Sequence, residues 1–326
     1  MTTADSGVAQ RRGRPLTASG RENRAGLAFV TPTFLVVLVV VVLPILWTVL
    51  LAFQNARLVD IQGMGLLGNW TADNFRNVFG SPGFWSSLLT TLAYTVGATA
   101  GSILLGLVAA LALRRPFRGR GPLRAAMLLP YVAPVVAVAF VWEVALSPQY
   151  GIVNEWGTRF LGWDQPLAFL STREHEISLL GVEFEVPLAL LTVIAFETWR
   201  YFPFAFLFLL ARLQAVPSTL EEAATVDGAT PLQRFRYVLL PQLMPVIALL
   251  SVLRFIMTFN KFDDVYLLTG GGAGTDVVAV RVYEFLTARY DVGAAAAQAL
   301  VLALVLMVLL GLYFTFFADR VREEAR

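Results

Sequence analysis

Hydrophobic positions in this sequence are gathered into long blocks rather than spaced at the 3.6-residue period of a half-buried helix. Six blocks extend over 27–53, 86–113, 123–146, 187–211, 238–258 and 294–317. A lipid core about 30 Å thick needs ~20 apolar residues of helix, because lipid offers no hydrogen bonds and each crossing must satisfy its own backbone. The pattern therefore predicts an all-α, polytopic membrane protein with about six transmembrane helices. The fifth block is the least regular, with Pro241, Pro245 and Arg254 inside it.

Composition agrees with this reading. Of 326 residues, 57% are hydrophobic and 15% charged, where water-soluble domains carry about 25% charged residues, and the mean hydropathy is +0.67. There is no cysteine and one histidine, His175, so disulfides, thiolate catalysis and Cys/His metal sites are excluded by inventory. His175 stands among Arg173, Glu174 and Glu176 and reads as a surface residue of a polar loop.

The charges are clumped. Arg11, Arg12, Arg14, Arg21 and Arg24 precede the first block; Arg114, Arg115, Arg118, Arg120 and Arg124 separate the second from the third. Arg212, Arg234 and Arg236 lie between the fourth and fifth, and Arg320, Arg322 and Arg326 follow the sixth. The alternate connections hold fewer: Arg57 and Arg76, Arg159 and Arg173, then Lys261, Arg281 and Arg289. By the positive-inside rule both termini face the cytoplasm. The first block is too long for a signal-peptide core and no A-x-A-like site follows it, so it reads as a retained span. The organisation is a basic cytoplasmic tail (1–24), a membrane domain (25–318) with a cytoplasmic loop at 216–241, and a short cytoplasmic tail (319–326).

That loop, VPSTLEEAATVDGATPLQRFRYVLLP, carries two helix-start signals. Ser218 with Glu221 fits a capping box, Asp227-Gly228 supplies a stop through a left-handed glycine, and Thr230, Pro231 and Gln233 form a second start. A bent helix pair projecting from the membrane is suited to lie in a cleft on another protein, with Ala223 and Ala224 allowing close approach and Glu221, Glu222 and Asp227 offering charge. An interfacial amphipathic loop without a partner satisfies the same local signals.

Glu222, Ala223, Ala224, Gly228, Val238, Leu240 and Pro241 together resemble the signature loop of permease subunits of ATP-binding-cassette importers, with Val238 where that family more often has Ile. The resemblance implies that Glu222, Ala223, Ala224, Asp227 and Gly228 dock on an ATP-hydrolysing subunit. Other stretches are similar to the carbohydrate-uptake, maltose-type branch: NWTADNFRNVFGSPGFW, GRGPLRAAMLLPYVAP, SPQYGIVN, WRYFPF and FNKFDDVYLLTGGGAGTDV. In the last, Ala273 replaces the proline of the pattern that typifies one permease of a heterodimer. The glycines at 270–272 and 274 are not a phosphate loop, since no Gly-Lys-Ser/Thr opens a helix there.

Ionisable residues inside a span cost about 2.5 to 3.5 kcal/mol each on insertion scales and mark a pathway or a paired contact. Glu197, Arg200, Tyr201 and Phe204 share one helical face, and Arg254, Thr258 and Lys261 repeat a similar spacing in the fifth block. The resemblance implies that these seven residues line a solute path near mid-membrane. The alternative from the residues alone is a Glu197–Arg200 pair fixing one helix, with Arg254 and Lys261 snorkelling to the interface.

The resemblance thus implies a type I importer permease fold in a bacterial cytoplasmic membrane. It also implies a chain that is not an enzyme and holds no cofactor, with ATP and Mg bound by partners. Those partners would be a second permease subunit, two cassette ATPase subunits and an extracytoplasmic solute-binding protein, with no nucleic acid. The solute implied is a sugar or sugar derivative moved by alternating access. A non-sugar polar solute, such as a glycerophosphate, stays open. An ion-coupled secondary transporter leaves the capped loop unexplained, and a polytopic enzyme lacks a convergent catalytic cluster, Asp263 and Asp264 having no His or Cys beside them.

Overall fold

The structure is a computed structural model and describes residues 18–59, 70–179 and 182–324. Arg11, Arg12, Arg14 and Arg326 of the basic tails lie outside the described residues. Residues up to Leu51 and those from Ala52 onward form two units, each described on its own.

The first unit contains α1 (Ala18–Val37) and α2 (Leu43–Ala52), joined without interruption by a π-helical turn at Leu38–Val42. The wide turn has a local cause. Pro44 follows, and a proline both lacks an N–H and crowds the carbonyl four residues back; the Leu43 N–H accordingly reaches to the Leu38 carbonyl, five residues back.

The second unit begins with α3 (Asp73–Gly80) and the long α4 (Pro82–Leu113). The third expected span is not one straight helix. It is α5 (Arg120–Met127), α6 (Leu129–Val132) and α7 (Val135–Leu146), with a 97° bend between Arg120–Val132 and Val135–Leu146. Ala133 is extended, at φ −65° and ψ 143°, because the following Pro134 disfavours helical geometry in the residue before it. After α8 (Ile152–Phe160), strands β1 (His175–Leu179) and β2 (Val182–Val186) form an antiparallel hairpin. His175, expected in a loop, pairs with Val186 in this ladder, so among the described residues the fold is α-helical apart from this hairpin.

α9 (Leu188–Ala215), α10 (Ser218–Val226), α11 (Pro231–Arg234), α12 (Leu240–Phe259), α13 (Asp263–Thr269), α14 (Val278–Thr287) and α15 (Val292–Glu324) complete the chain. A second π-turn, Phe235–Leu239, joins α11 to α12 just before Pro241, and the Leu240 N–H bonds the Phe235 carbonyl. The fifth apolar block is therefore part of one helical run that starts at Pro231 rather than at 238. Among the described residues, five helices are long and apolar enough to cross a membrane: Phe29–Ala52, Pro82–Leu113, Leu188–Ala215, Pro231–Phe259 and Val292–Thr315. The bent pair makes a sixth if counted as one span.

α9 is the central helix. Toward one end, Phe202, Phe206 and Leu209 pack with Ile103 and Ala110 of α4 and Leu243 and Leu250 of α12. Toward the other, Val193 and Phe196 pack with Tyr94 and Ala98 of α4, Val138 of α7 and Val265 of α13. Apolar burial alone does not drive helices together in lipid, so close approach by small residues matters. Gly106 illustrates it: a Cβ there would lie 2.8 Å from the Phe206 backbone nitrogen and 3.0 Å from the Phe202 carbonyl oxygen.

Two of the sequence stretches noted above serve the connections. In SPQYGIVN, the Asn154 amide donates to the carbonyls of Leu146, Ser147 and Leu167 at 3.1, 3.2 and 3.0 Å and accepts from the Leu167 N–H at 2.7 Å. Asn74 likewise donates to the carbonyls of Ala52 and Gln54 at 2.9 and 2.8 Å. In the glycine turn, Gly270, Gly271, Ala273 and Gly274 all have positive φ, Ala273 at 52°. Proline, fixed near −65°, does not fit that geometry, so alanine in its place matches this turn.

Candidate functional site

The polar element between α9 and α12 is built from α10 and α11. Gly228 has φ +77° and lies just past α10, where its N–H bonds the Thr225 carbonyl at 3.1 Å and the Ala229 N–H bonds the Ala224 carbonyl at 2.9 Å. This is the paired 5→2 and 6→1 closure of a Schellman stop. The second start signal is realised in full: Thr230 and Gln233 form a reciprocal capping box with Pro231 at the first helical position.

The first start signal is not. Pro217, not Ser218, occupies the cap, and no side-chain cap bond forms. Glu221 is drawn instead to Arg114 at the end of α4, through two bonds of 2.6 and 2.8 Å. Bidentate charge-assisted bonds outcompete a neutral cap, and a preceding proline already fixes an extended entry. Arg234 donates to Thr225 at 2.9 Å, tying α11 to α10. Arg212 of α9 donates to the Gln242 carbonyl and side chain at 2.9 and 2.7 Å. The element is thus fastened to α4 through Glu221, while α9 and α12, which lead into and out of it, are tied to each other by Arg212.

Its outer surface is free. Glu222, Ala223, Asp227 and Gly228 are exposed and Ala224 half-buried. Sequence reasoning passed over the apolar part: Val226 is 87% and Leu232 73% exposed. Exposed aliphatic residues beside small and acidic ones are the composition of a protein-docking face. A cleft of about 600 Å³ lies between Arg114, Arg115, Glu221, Glu222 and Arg234.

The seven residues that the resemblance implies for the solute path come together, in a pairing the residues alone did not give. Glu197 is not paired with Arg200. Its Oε1 accepts from Arg254 at 2.7 Å and from Thr258 at 3.3 Å. Arg200 instead reaches Asp264 at 2.7 Å, and Lys261 lies 3.3 Å from Asp263 and 3.7 Å from Asp264. The side chains of Arg254 and Glu197 are both 0% exposed, so Arg254 does not snorkel; Lys261 is half-buried and donates to the Tyr201 hydroxyl at 2.6 Å. The Tyr201 ring has Arg254, Lys261 and Arg200 at 4.1, 4.6 and 5.3 Å from its centroid, an arrangement that draws cations to the electron-rich face. Phe204 packs with tilted rings against Phe208 at 5.0 Å and Tyr131 at 6.1 Å.

Asp263, Asp264 and Tyr131 were missed as members. The signal available was Lys261 three residues before Asp264 at a helix start, where carboxylates are favoured. Tyr131 arrives through the bend of the third span, which no periodicity announces. Burial, and after it the hydrogen bond and charge of Glu197, push the Asp264 carboxyl up to about 9, with Lys261 pulling the other way. Buried Arg200 Nε and Arg254 Nη1 have no hydrogen-bond partner among the described residues. No group of three or more His, Cys, Asp or Glu able to hold a metal ion occurs among the described residues.

The sequence and overall fold of the chain are matched by known proteins. The family described as binding-protein-dependent transport system inner membrane component matches residues 102–323. The chain belongs to that family. As a permease it is 38% identical over 238 residues to the inner membrane ABC transporter permease protein YcjO of Escherichia coli K12, covering 73% of this chain and 76% of that one. It is 33% identical over 265 residues to the trehalose/maltose transport system permease protein MalF of Thermococcus litoralis, covering 81% and 83%. Its fold matches a chain of a bacterial ABC transporter that imports the acidic polysaccharide alginate, with TM-score 0.75 at 22% identity, over 94% of this permease and 99% of that chain. The permease is a type I importer fold and not a catalytic subunit, and membership sets aside both the secondary transporter and the membrane enzyme.

Proposed function

We propose that this permease forms the membrane path of an ATP-driven, binding-protein-dependent importer of a sugar or sugar derivative. Sugar is supported by the relatives, among them a trehalose/maltose permease and a trehalose permease of Mycobacterium tuberculosis. The observation that carries the mechanism is the fastening of α10 to the end of α4 through Glu221 and Arg114, between the tied helices α9 and α12, with Val226 and Leu232 left outside.

In this reading α10 and α11 face the cytoplasm and seat on one of two ATPase subunits, which hold ATP and Mg. Glu222, Ala223, Ala224, Asp227 and Gly228 form the docking face. A second permease completes the path, and a loaded binding protein delivers solute on the outer side, where the glycine turn lies. ATP-driven closure of the ATPases pushes α10; through Glu221–Arg114 the push reaches α4, and through the chain into α9 and its Arg212–Gln242 bond it reaches α12.

Glu197, Arg200, Tyr201, Phe204, Arg254, Thr258 and Lys261 line the solute path. Their buried, unpartnered N–H groups are hydrogen-bonding capacity that a hydroxylated solute can take up when the cluster opens, and Tyr201, Phe204 and Tyr131 offer ring faces to its C–H surface. The test is ATP hydrolysis by the assembled transporter in vesicles with its binding protein. A neutral disaccharide such as trehalose or maltose bound to that protein is expected to stimulate hydrolysis; stimulation only by amino acids or peptides would overturn the sugar assignment.

A further inference from the structure

A second polar cavity, remote from the ionic cluster, lies where α4 and α15 begin. It has a volume of about 270 Å³ and is lined by Asn74, Asn77, Ser81, Arg281, Arg289 and Gln298 among others. Its cations have neutral company. Arg281 donates to Gln298 at 3.0 Å and to Ser81 at 3.0 Å. Arg289 lies over the Phe285 ring at 4.1 Å from its centroid. No carboxylate lines the cavity, and neither arginine forms an ion pair among the described residues. The nearby acids are hydrogen-bonded outside the lining: Asp73 with Arg76 at 2.8 Å, Asp291 with the Ala294 N–H at 2.9 Å, and Asp276 with Ser87 at 2.5 Å, although Asp276 still lies within the field of Arg281.

Two guanidinium groups, Arg281 fixed by Ser81 and Gln298 and Arg289 beside it over the Phe285 ring, with no carboxylate in the lining, are the donor set of an oxyanion site. The volume lies just below the ~300 Å³ at which sites for drug-sized ligands begin, which suits a headgroup rather than an oligosaccharide. The position suits one too. Ser81 and Gln298 belong to the ends of two membrane-crossing helices, and Phe79, Trp85 and Tyr290 nearby are 48%, 47% and 52% exposed, as aromatic residues are at a lipid–water boundary.

We propose that this cavity binds a phosphate-type oxyanion, supplied by the headgroup of an anionic phospholipid. Arg281 is preset by its two bonds to meet the phosphodiester from inside, and Arg289 closes over it from the rim. Seating a headgroup there joins α3, α14 and the starts of α4 and α15.

The test uses the whole transporter, purified through a tag on this chain from vesicles of equal parts phosphatidylglycerol and phosphatidylcholine. Native mass spectrometry then follows lipid retention as detergent is increased. Wild type is expected to keep phosphatidylglycerol after phosphatidylcholine is lost, and Arg281→Gln with Arg289→Gln to lower that retention about tenfold. Arg289→Gln alone, at an exposed position, is expected to lower it in part while leaving assembly intact. Excess inorganic phosphate distinguishes the source: displacement of the lipid shows headgroup and free ion sharing the site, whereas phosphate protection of wild type without lipid retention keeps the oxyanion chemistry and overturns the headgroup. Equal retention by wild type and both variants, with no effect of phosphate, overturns the site. Loss of binding-protein docking in the variants with lipid retention unchanged would assign the arginines to a protein carboxylate and also overturn it.

Discussion

The Glu197–Arg254 pair provides a quantitative handle on the bundle. Both side chains are wholly buried, 2.7 Å apart, on different membrane-crossing helices. Glu197→Gln keeps the shape but removes the charge, leaving Arg254 buried with Tyr201 and Ser102 as its remaining neighbours. Removing one partner of a buried pair costs about 3–5 kcal/mol, because the survivor is left uncompensated, whereas replacing both by groups of similar volume is often neutral. Arg254→Met is therefore expected to cost about as much as Glu197→Gln, with ~2 kcal/mol more for the lost contact with the Tyr201 ring. The double variant should be less destabilised than the sum by about 2–3 kcal/mol. At about 2 °C per kcal/mol for a chain of this size, Glu197→Gln lowers the unfolding midpoint by ~6–10 °C and Arg254→Met by ~10–14 °C, and the double variant falls ~4–6 °C less than the two shifts summed. Scanning fluorimetry of the purified transporter reads this directly. Single-variant shifts under about 2 °C that add in the double variant would show the two side chains to be uncoupled and refute the pairing.

Two further expectations are independent of that one. Gly228→Leu forces a side chain into a φ of +77° that costs a non-glycine residue about 1–2 kcal/mol; it should leave the protein in the membrane while abolishing solute uptake and solute-stimulated ATP hydrolysis, and normal uptake would remove the lever argument. The Asp264 carboxyl has its folded-state pKa raised to about 9, above the ordinary ~3.9 of the unfolded chain. The stability it contributes is therefore complete below the unfolded value and lost as pH rises through about 9. The wild-type midpoint should fall between neutral pH and pH ~9.5 more steeply than that of Asp264→Asn, and identical profiles would contradict the assignment.

Much of this was legible in the chain. Block length gave the spans, because lipid imposes a length on every crossing, and Gly228, Thr230, Pro231 and Gln233 gave the bent element, because a stop and a capping box are local events. What escaped was decided by distance in space. Ser218 and Glu221 have the right spacing for a capping box, but Arg114, 107 residues away from Glu221, holds the carboxylate more strongly. Glu197 and Arg200 are neighbours on a helix, yet each finds a partner on another element with better geometry. The 97° bend follows from Pro134, although apolar composition alone runs straight through it. The hairpin holding His175 lies in a connection whose polar residues read as loop.

The account rests on α10 and α11 being on the cytoplasmic side and seated on a separate ATPase. The chain has no cysteine, so Val226→Cys places a single thiol at the most exposed apolar position of α10. In intact cells that thiol is expected to resist a membrane-impermeant maleimide, to react once the membrane is permeabilised, and to cross-link to the ATPase subunit in the assembled transporter. Rapid labelling from outside intact cells would put the element on the wrong face of the membrane and contradict the account.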